Sequence, residues 1–102
     1  MLLTIIIPVF NEENTIEAIF RKILEQNYIE KQIIIVDDFS TDNTRQILKD
    51  KIFQSADKII YHNKNKGKGA AIKTAVNSIK GDVVIIQDAD LEYWPSDYKN
   101  LI

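Results

Sequence analysis

Cysteine is absent from the 102 residues, which removes disulfides and thiolate metal sites and suits a reducing compartment. Positive charge is not in excess either. Thirteen Lys and Arg face fifteen Asp and Glu, for a net charge of −2 and a pI near 5.3, so non-specific nucleic-acid binding is not indicated. No apolar run is long enough to span a membrane. The opening MLLTIIIPVF has neither a basic start nor a small-residue cleavage site and reads as a strand. Low-complexity tracts are missing, as are the GxxxxGK[ST] spacing of a P-loop and the GxGxxG of a dinucleotide site. The single histidine, His62, reads as a loop residue. What remains is the composition of one soluble globular domain, 45% hydrophobic and 27% charged.

Apolar runs alternate with amphipathic stretches. Leu2–Val9 is a β-branched run of the kind buried on both faces of a sheet. Asn14-Thr15-Ile16-Glu17 resembles a capping box, and Ile16, Ile19, Phe20, Ile23 and Leu24 follow at helical spacing. A second strand spans Gln32–Val36 and runs into Asp37-Asp38. A polar turn with several candidate N-caps then leads to a helix carrying Ile47, Leu48 and Ile52. Lys58–Tyr61 predicts a third strand. The basic loop HNKNKGKG precedes a helix over 70–79, Gly81 stops it, and Asp82–Gln87 predicts a fourth strand. Pro95-Ser96-Asp97 would open another helix. The pattern predicts an α/β, doubly wound, mostly parallel sheet of alternating βα units, truncated after about the fourth strand.

In such a sheet, ligands bind beyond the carboxyl ends of the strands. Those ends carry every conspicuous polar cluster: Asn11-Glu12-Glu13, Asp37-Asp38, the lysines of residues 64–68, and Asp88, Asp90 and Glu92. Carboxylates about 5 Å apart repel by roughly 3 kcal/mol at an effective dielectric near 20. The acids of QDADLEY therefore call for a compensating charge. Residues i and i+2 of an extended segment share a face about 6.6 Å apart. That spacing suits Asp90, with or without Glu92, as ligand to a hard cation, with Asp88 reaching it through water or meeting a ligand hydroxyl. With nine aspartates in 102 residues, an isolated DxD arises about once by chance.

Each of the other clusters also has a plain alternative. Asp37-Asp38 suits a nucleobase or ribose, or a solvated turn leading into a helix. Adjacent residues point to opposite sides, so one of the two at most faces a pocket. NKGKGAAI suits a phosphate approached by glycine backbone, a helix N-terminus, Lys66 and Lys68, or it is a solvated basic loop. Glu13 reads best as part of an acidic first helical turn. Tyr93 and Trp94 suit stacking on a sugar or lipid, or a domain contact.

Taken together, IIIPVFNEENTI, IIIVDDFSTDNT, NKGKGAAI and GDVVIIQDADLEYWPSD resemble, in order and spacing, the front half of a family 2 glycosyltransferase. The last two are similar to the polyprenyl-phosphate hexosyltransferase branch. The resemblance implies a glycosyltransferase A-type fold and residues 1–102 as the nucleotide-sugar-binding N-terminal portion of a longer catalytic domain. It implies an inverting, metal-dependent transfer of a hexose from a UDP- or GDP-sugar to an acceptor, a polyprenyl phosphate being one candidate. Pro8, Phe10, Asn11 and Glu12 would line the nucleoside pocket, and Asp38, with or without Asp37, would meet base or ribose. Lys68 would lie near the nucleotide, Asp88 would contact ribose or metal-bound water, and Ala89 would belong to the substrate-binding set. Asp90, Asp88 and Glu92 would hold Mn²⁺ or Mg²⁺. Any general base would lie beyond the chain end. A cytoplasmic location, or the cytoplasmic face of a membrane reached through downstream sequence, goes with this resemblance. Phe39 and Asn43 stand where the family commonly has glycine, and Trp94 where a polar residue is frequent. The competing classes are a non-catalytic nucleotide-sugar-binding module and a receiver-type signalling domain. A receiver would place its acid pair after the first strand, and here it follows the second.

Overall fold

The computed structural model describes residues 1–27 and 29–89. Four strands form one parallel sheet in the order β3-β2-β1-β4, with β1 at Leu2–Val9, β2 at Glu30–Asp37, β3 at Lys58–Tyr61 and β4 at Val83–Ile86. Ile5 pairs with Ile33 of β2 and Ile85 of β4, and Val36 pairs with Ile60 of β3. Three helical segments connect them: α1 at Ile16–Glu25, α2 at Thr44–Ile47, and α3 at Lys68–Val76. α2 runs directly into a widened π-helical turn, Leu48–Ile52, closed by the Phe53 amide on the Leu48 carbonyl at 2.8 Å.

Period-two alternation sorts the strands' side chains into two layers. Leu3, Ile5, Ile7, Val9, Ile33 and Ile35 pack with α1 and the turn after α2. Ile6, Ile34 and Val36 face Ala71 and Ala75 of α3, whose small side chains let that helix lie close. Both central strands are thus covered on both faces, which explains their unbroken Ile and Val runs.

Three expectations need correction. No capping box starts α1. The Glu12 carbonyl accepts from the Thr15 and Ile16 amides, and the Thr15 hydroxyl turns instead to the Ala89 carbonyl, with the Glu12 carboxylate at 3.2 Å as alternative acceptor. α3 starts two residues earlier than predicted, at Lys68, and ends at Val76. Gly81 therefore does not stop it. Its role is close approach: a Cβ there would lie 2.4 Å from Thr4 Oγ1 and 2.7 Å from the Thr4 nitrogen. The Gly81 amide donates to Thr4 Oγ1 at 2.8 Å, and Thr4 Oγ1 donates to Gln32 Oε1 at 2.7 Å. This buried network threads the chain from α3 into β4. The helix predicted after Pro95 lies outside the described residues.

Candidate functional site

The chain order β1-β2-β3 grows one way from β1, and β4 then returns to its other side. The carboxyl ends of β1 and β4 therefore mark a topological switch point, where open α/β sheets bind ligands. A cavity of about 280 Å³ opens there. Seven predicted residues line it: Pro8, Phe10, Glu12, Asp38, Lys68, Asp88 and Ala89, together with Val9 and Ala71. Pro8, Phe10, Asp38 and Asp88 continue the alternation that places Ile6, Val36 and Ile86 in register, so they emerge toward α3 and the lysine loop ahead of it. A second cavity, near Lys31, Lys58 and Lys80, opens at the opposite edge of the sheet.

Asn11 and Asp37 do not line the cavity. Each holds the rim together. Asn11 sits at φ 51, a left-handed conformation that asparagine tolerates, and its Oδ1 accepts from the Thr41 amide at 2.7 Å. Its own amide donates to Ser40 Oγ at 2.9 Å. The Glu12 amide donates to Thr44 Oγ1 at 2.9 Å, and Glu13 Oε2 accepts from the Asn43 amide at 3.0 Å. Glu13 thus bridges to the neighbouring loop instead of opening a helix. Asp42 accepts from the Thr44 and Glu13 amides. Burial works to raise its pKa, but the Thr44 hydroxyl and these amides outweigh it and hold the carboxyl below its ordinary value. The loops after β1 and β2 are therefore zipped to one another.

Asp37 is fully buried and belongs to the α1 face, with Ile35. It accepts from Ser40 Oγ at 2.6 Å, from the Ser40 amide at 3.1 Å and from Arg45 Nε at 2.6 Å. The Arg45 guanidinium also donates to the His62 carbonyl and lies 5.3 Å from the ring centres of both Phe39 and Tyr61. Phe39 adopts φ 65. That left-handed value is why glycine is common at this point of the turn and why phenylalanine there carries strain.

Asp38, 4% exposed, is the hub of the site. Its Oδ1 accepts from His62 Nδ1 at 2.9 Å and the Lys66 amide at 2.8 Å, and its Oδ2 accepts from the Gly67 amide at 2.8 Å. Burial pushes its pKa up, but the His62 and amide hydrogen bonds more than offset this and leave it below the ordinary value. His62 is a loop residue, as expected from sequence, directly after β3, but it is not a solvated one. It is 5% exposed, with Nε2 2.8 Å from Thr74 Oγ1 of α3. The signal that could have found it is the same alternation, since His62 stands two residues after Ile60, which packs against the α3 layer.

At the cavity mouth, the Lys68 ammonium is ion-paired with the Asp88 carboxylate. Part of the compensating charge that the acids call for thus comes from the chain itself. Asp90 and Glu92 lie outside the described residues. Among those described, no three His, Asp or Glu side chains converge as a metal cage, and Asp88 contributes one carboxylate of the hard oxygen type. Among the described residues no helix is long and apolar enough to cross a membrane.

Comparison with known proteins places this geometry. A family model described as glycosyl transferase family 2 matches residues 4–102. The chain is 36% identical to an undecaprenyl-phosphate 4-deoxy-4-formamido-L-arabinose transferase of Pseudomonas fluorescens (strain SBW25), covering 97% of the chain and 30% of the relative. It is 33% identical to the protein of that name from Aeromonas hydrophila, covering 99% and 32%. The chain therefore spans about a third of the length of these relatives. Among solved structures, it superposes on the mannosyltransferase PcManGT from Pyrobaculum calidifontis, in complex with GDP-Man and Mn²⁺. There the TM-score is 0.78 with 31% identity, over 86% of this chain and 27% of that one. Superposition on S. aureus TarS 1–349 gives a TM-score of 0.83 with 26% identity, over 99% and 31%.

Proposed function

The chain belongs to glycosyl transferase family 2, and on that premise we propose that it is the donor-binding N-terminal portion of a longer, metal-dependent, inverting hexosyltransferase. The observation that carries the proposal is the cavity at the β1/β4 switch point, which joins an apolar wall, an anchored carboxylate and a lysine–aspartate pair. Pro8 and Phe10 offer the apolar surface a nucleoside needs, and Phe10 is 44% exposed. Lys68, at the first turn of α3, offers cationic and helix N-terminal attraction to a diphosphate. An arriving diphosphate competes with Asp88 for the Lys68 ammonium, so donor binding would release Asp88 toward ribose or cation.

Asp88, with Asp90 and Glu92 from beyond the described residues, would supply an oxygen-only donor set of the chemistry that suits Mn²⁺ or Mg²⁺. When bound, such a cation supplies charge neutralisation for the departing diphosphate. The GDP-Man and Mn²⁺ complex of the Pyrobaculum mannosyltransferase supports a divalent ion and a nucleotide-sugar donor, and a TarS complex with UDP-GlcNAc supports a uridine alternative. The relatives named for undecaprenyl phosphate support a polyprenyl phosphate as acceptor. Its anionic oxygen would attack the anomeric carbon without a general base, and a membrane acceptor would place the full-length protein at a cytoplasmic membrane face. The test is a thermal-shift screen of UDP- and GDP-sugars against the full-length protein, with and without Mn²⁺. Metal-dependent stabilisation that disappears in Asp90→Ala is expected. Metal-independent binding, or no binding to any donor, would overturn the proposal.

A further inference from the structure

We propose that His62 is a positioning residue for the lysine loop. Through Asp38 it fixes where residues 66–68 present the Lys68 ammonium to the cavity. His62 does not line the cavity, so it acts only through its neighbours. Its contacts form a continuous chain. Thr74 of α3 meets Nε2, Nδ1 meets Asp38 Oδ1, and the same carboxylate takes the amides of Lys66 and Gly67 immediately ahead of Lys68. The Asn65 side chain adds a longer contact, 3.4 Å, to the Asp38 carbonyl.

The geometry makes the ring the fixed part of this arrangement. An ionised Asp38 can only accept, so Nδ1 carries a proton. The Thr74 hydroxyl lies 2.9 Å from the Ala70 carbonyl as well as 2.8 Å from Nε2. It can therefore donate to Nε2 or, giving its proton to Ala70, accept from it. Both ring contacts survive in either protonation state. On its own, a carboxylate has broad freedom about its terminal torsion. Held by Nδ1, it presents its second oxygen to Gly67, whose φ of 96 is a turn that glycine alone adopts without strain. Loop position is thereby specified from inside the sheet.

The inference rests on the donor-binding reading for its effect on ligand, and on backbone protection for its effect on the loop. Three variants of the full-length protein separate the contacts. In His62→Asn, the amide nitrogen stands where Nδ1 stood and keeps the donor to Asp38. In His62→Gln, it stands nearer to Nε2 and keeps only Thr74. His62→Ala keeps neither. Hydrogen exchange at the Lys66 and Gly67 amides should quicken about tenfold or more in the Ala and Gln variants and stay near wild type in Asn, tenfold being roughly one hydrogen bond. Affinity for a UDP- or GDP-sugar should follow the same order, with KM for donor raised and kcat at saturating donor little changed. Equal impairment of Asn and Gln, unchanged protection in Ala, or collapse of the fold in all three would overturn it. A wild-type protein that binds no donor defeats the functional reading, while the exchange measurement still decides the positioning role.

Discussion

Replacing Asp38 with Asn isolates the charge at the centre of the site with almost no change in volume. The carboxylate takes three hydrogen bonds, at 2.9, 2.8 and 2.8 Å, while only 4% exposed. In Asp38→Asn one oxygen becomes an NH₂ group that must face either the Gly67 amide or the His62 and Lys66 donors. A hydrogen bond to a charged group contributes about 1.5–3 kcal/mol, and a buried donor left without a partner costs about 1–3 kcal/mol. The variant should therefore lose about 2–4 kcal/mol, a fall in Tm of at least about 8 °C for a domain of this size. The pH dependence has a definite sign. The folded-state pKa is depressed below 3.8, so the charge-dependent stabilisation is present above that value and lost as pH falls through the lower folded value. Urea titrations of wild type and variant at pH 7 and near pH 3 should show the gap closing in acid. A loss under 0.5 kcal/mol, or a gap that does not narrow, would refute the assignment of Asp38 as an ionised hub.

Phe39 supports a comparison that reverses the usual ranking of small residues. At φ 65, Phe39→Gly should be more stable than Phe39→Ala by about 1 kcal/mol, because alanine keeps the left-handed strain and glycine does not; paired thermal melts decide it. Gly81→Ala should cost about 1–3 kcal/mol or more in denaturant unfolding, since the added carbon would sit 2.4 Å from Thr4 Oγ1. Lys68→Met should weaken UDP or GDP binding about tenfold, the worth of one charge-assisted contact, with only a modest fall in the melting temperature of the free protein, because the Lys68 side of the pair is 56% exposed while Asp88 is 22% exposed.

β1 and β3 have the bounds read from the sequence, β1 from its β-branched run, and β2 extends past its apolar run at both ends. Asp37 and Asp38 separate onto opposite faces, as adjacent strand residues must. The parts that could not be read share one cause. Arg45 joins Asp37, eight residues before it, and the His62 carbonyl, seventeen after it, and nothing in the local pattern marks an arginine for that task. Asp38 finds two of its donors in backbone amides of another loop, and amides leave no trace in residue identity. The Thr15 hydroxyl had a good local use as a cap, and a tertiary carbonyl at Ala89 took it instead. His62 is a different case: its neighbourhood was visible in the spacing from Ile60, and only its being histidine disguised it.

Gly81 lies at the opposite edge of the sheet from the cavity, yet it acts as a gauge for it. The missing side chain lets the chain slip in against Leu2 and Thr4 at one depth only, and β4 starts counting from there, Val83 opposite Leu3 and Ile86 opposite Ile6. Gln87 and Asp88 inherit that count. A strand displaced by one residue would send every later side chain to the other face, carrying Asp88 away from Lys68 and toward α1. The smallest residue in the chain, at the far end of β4, thus sets which way Asp88 looks.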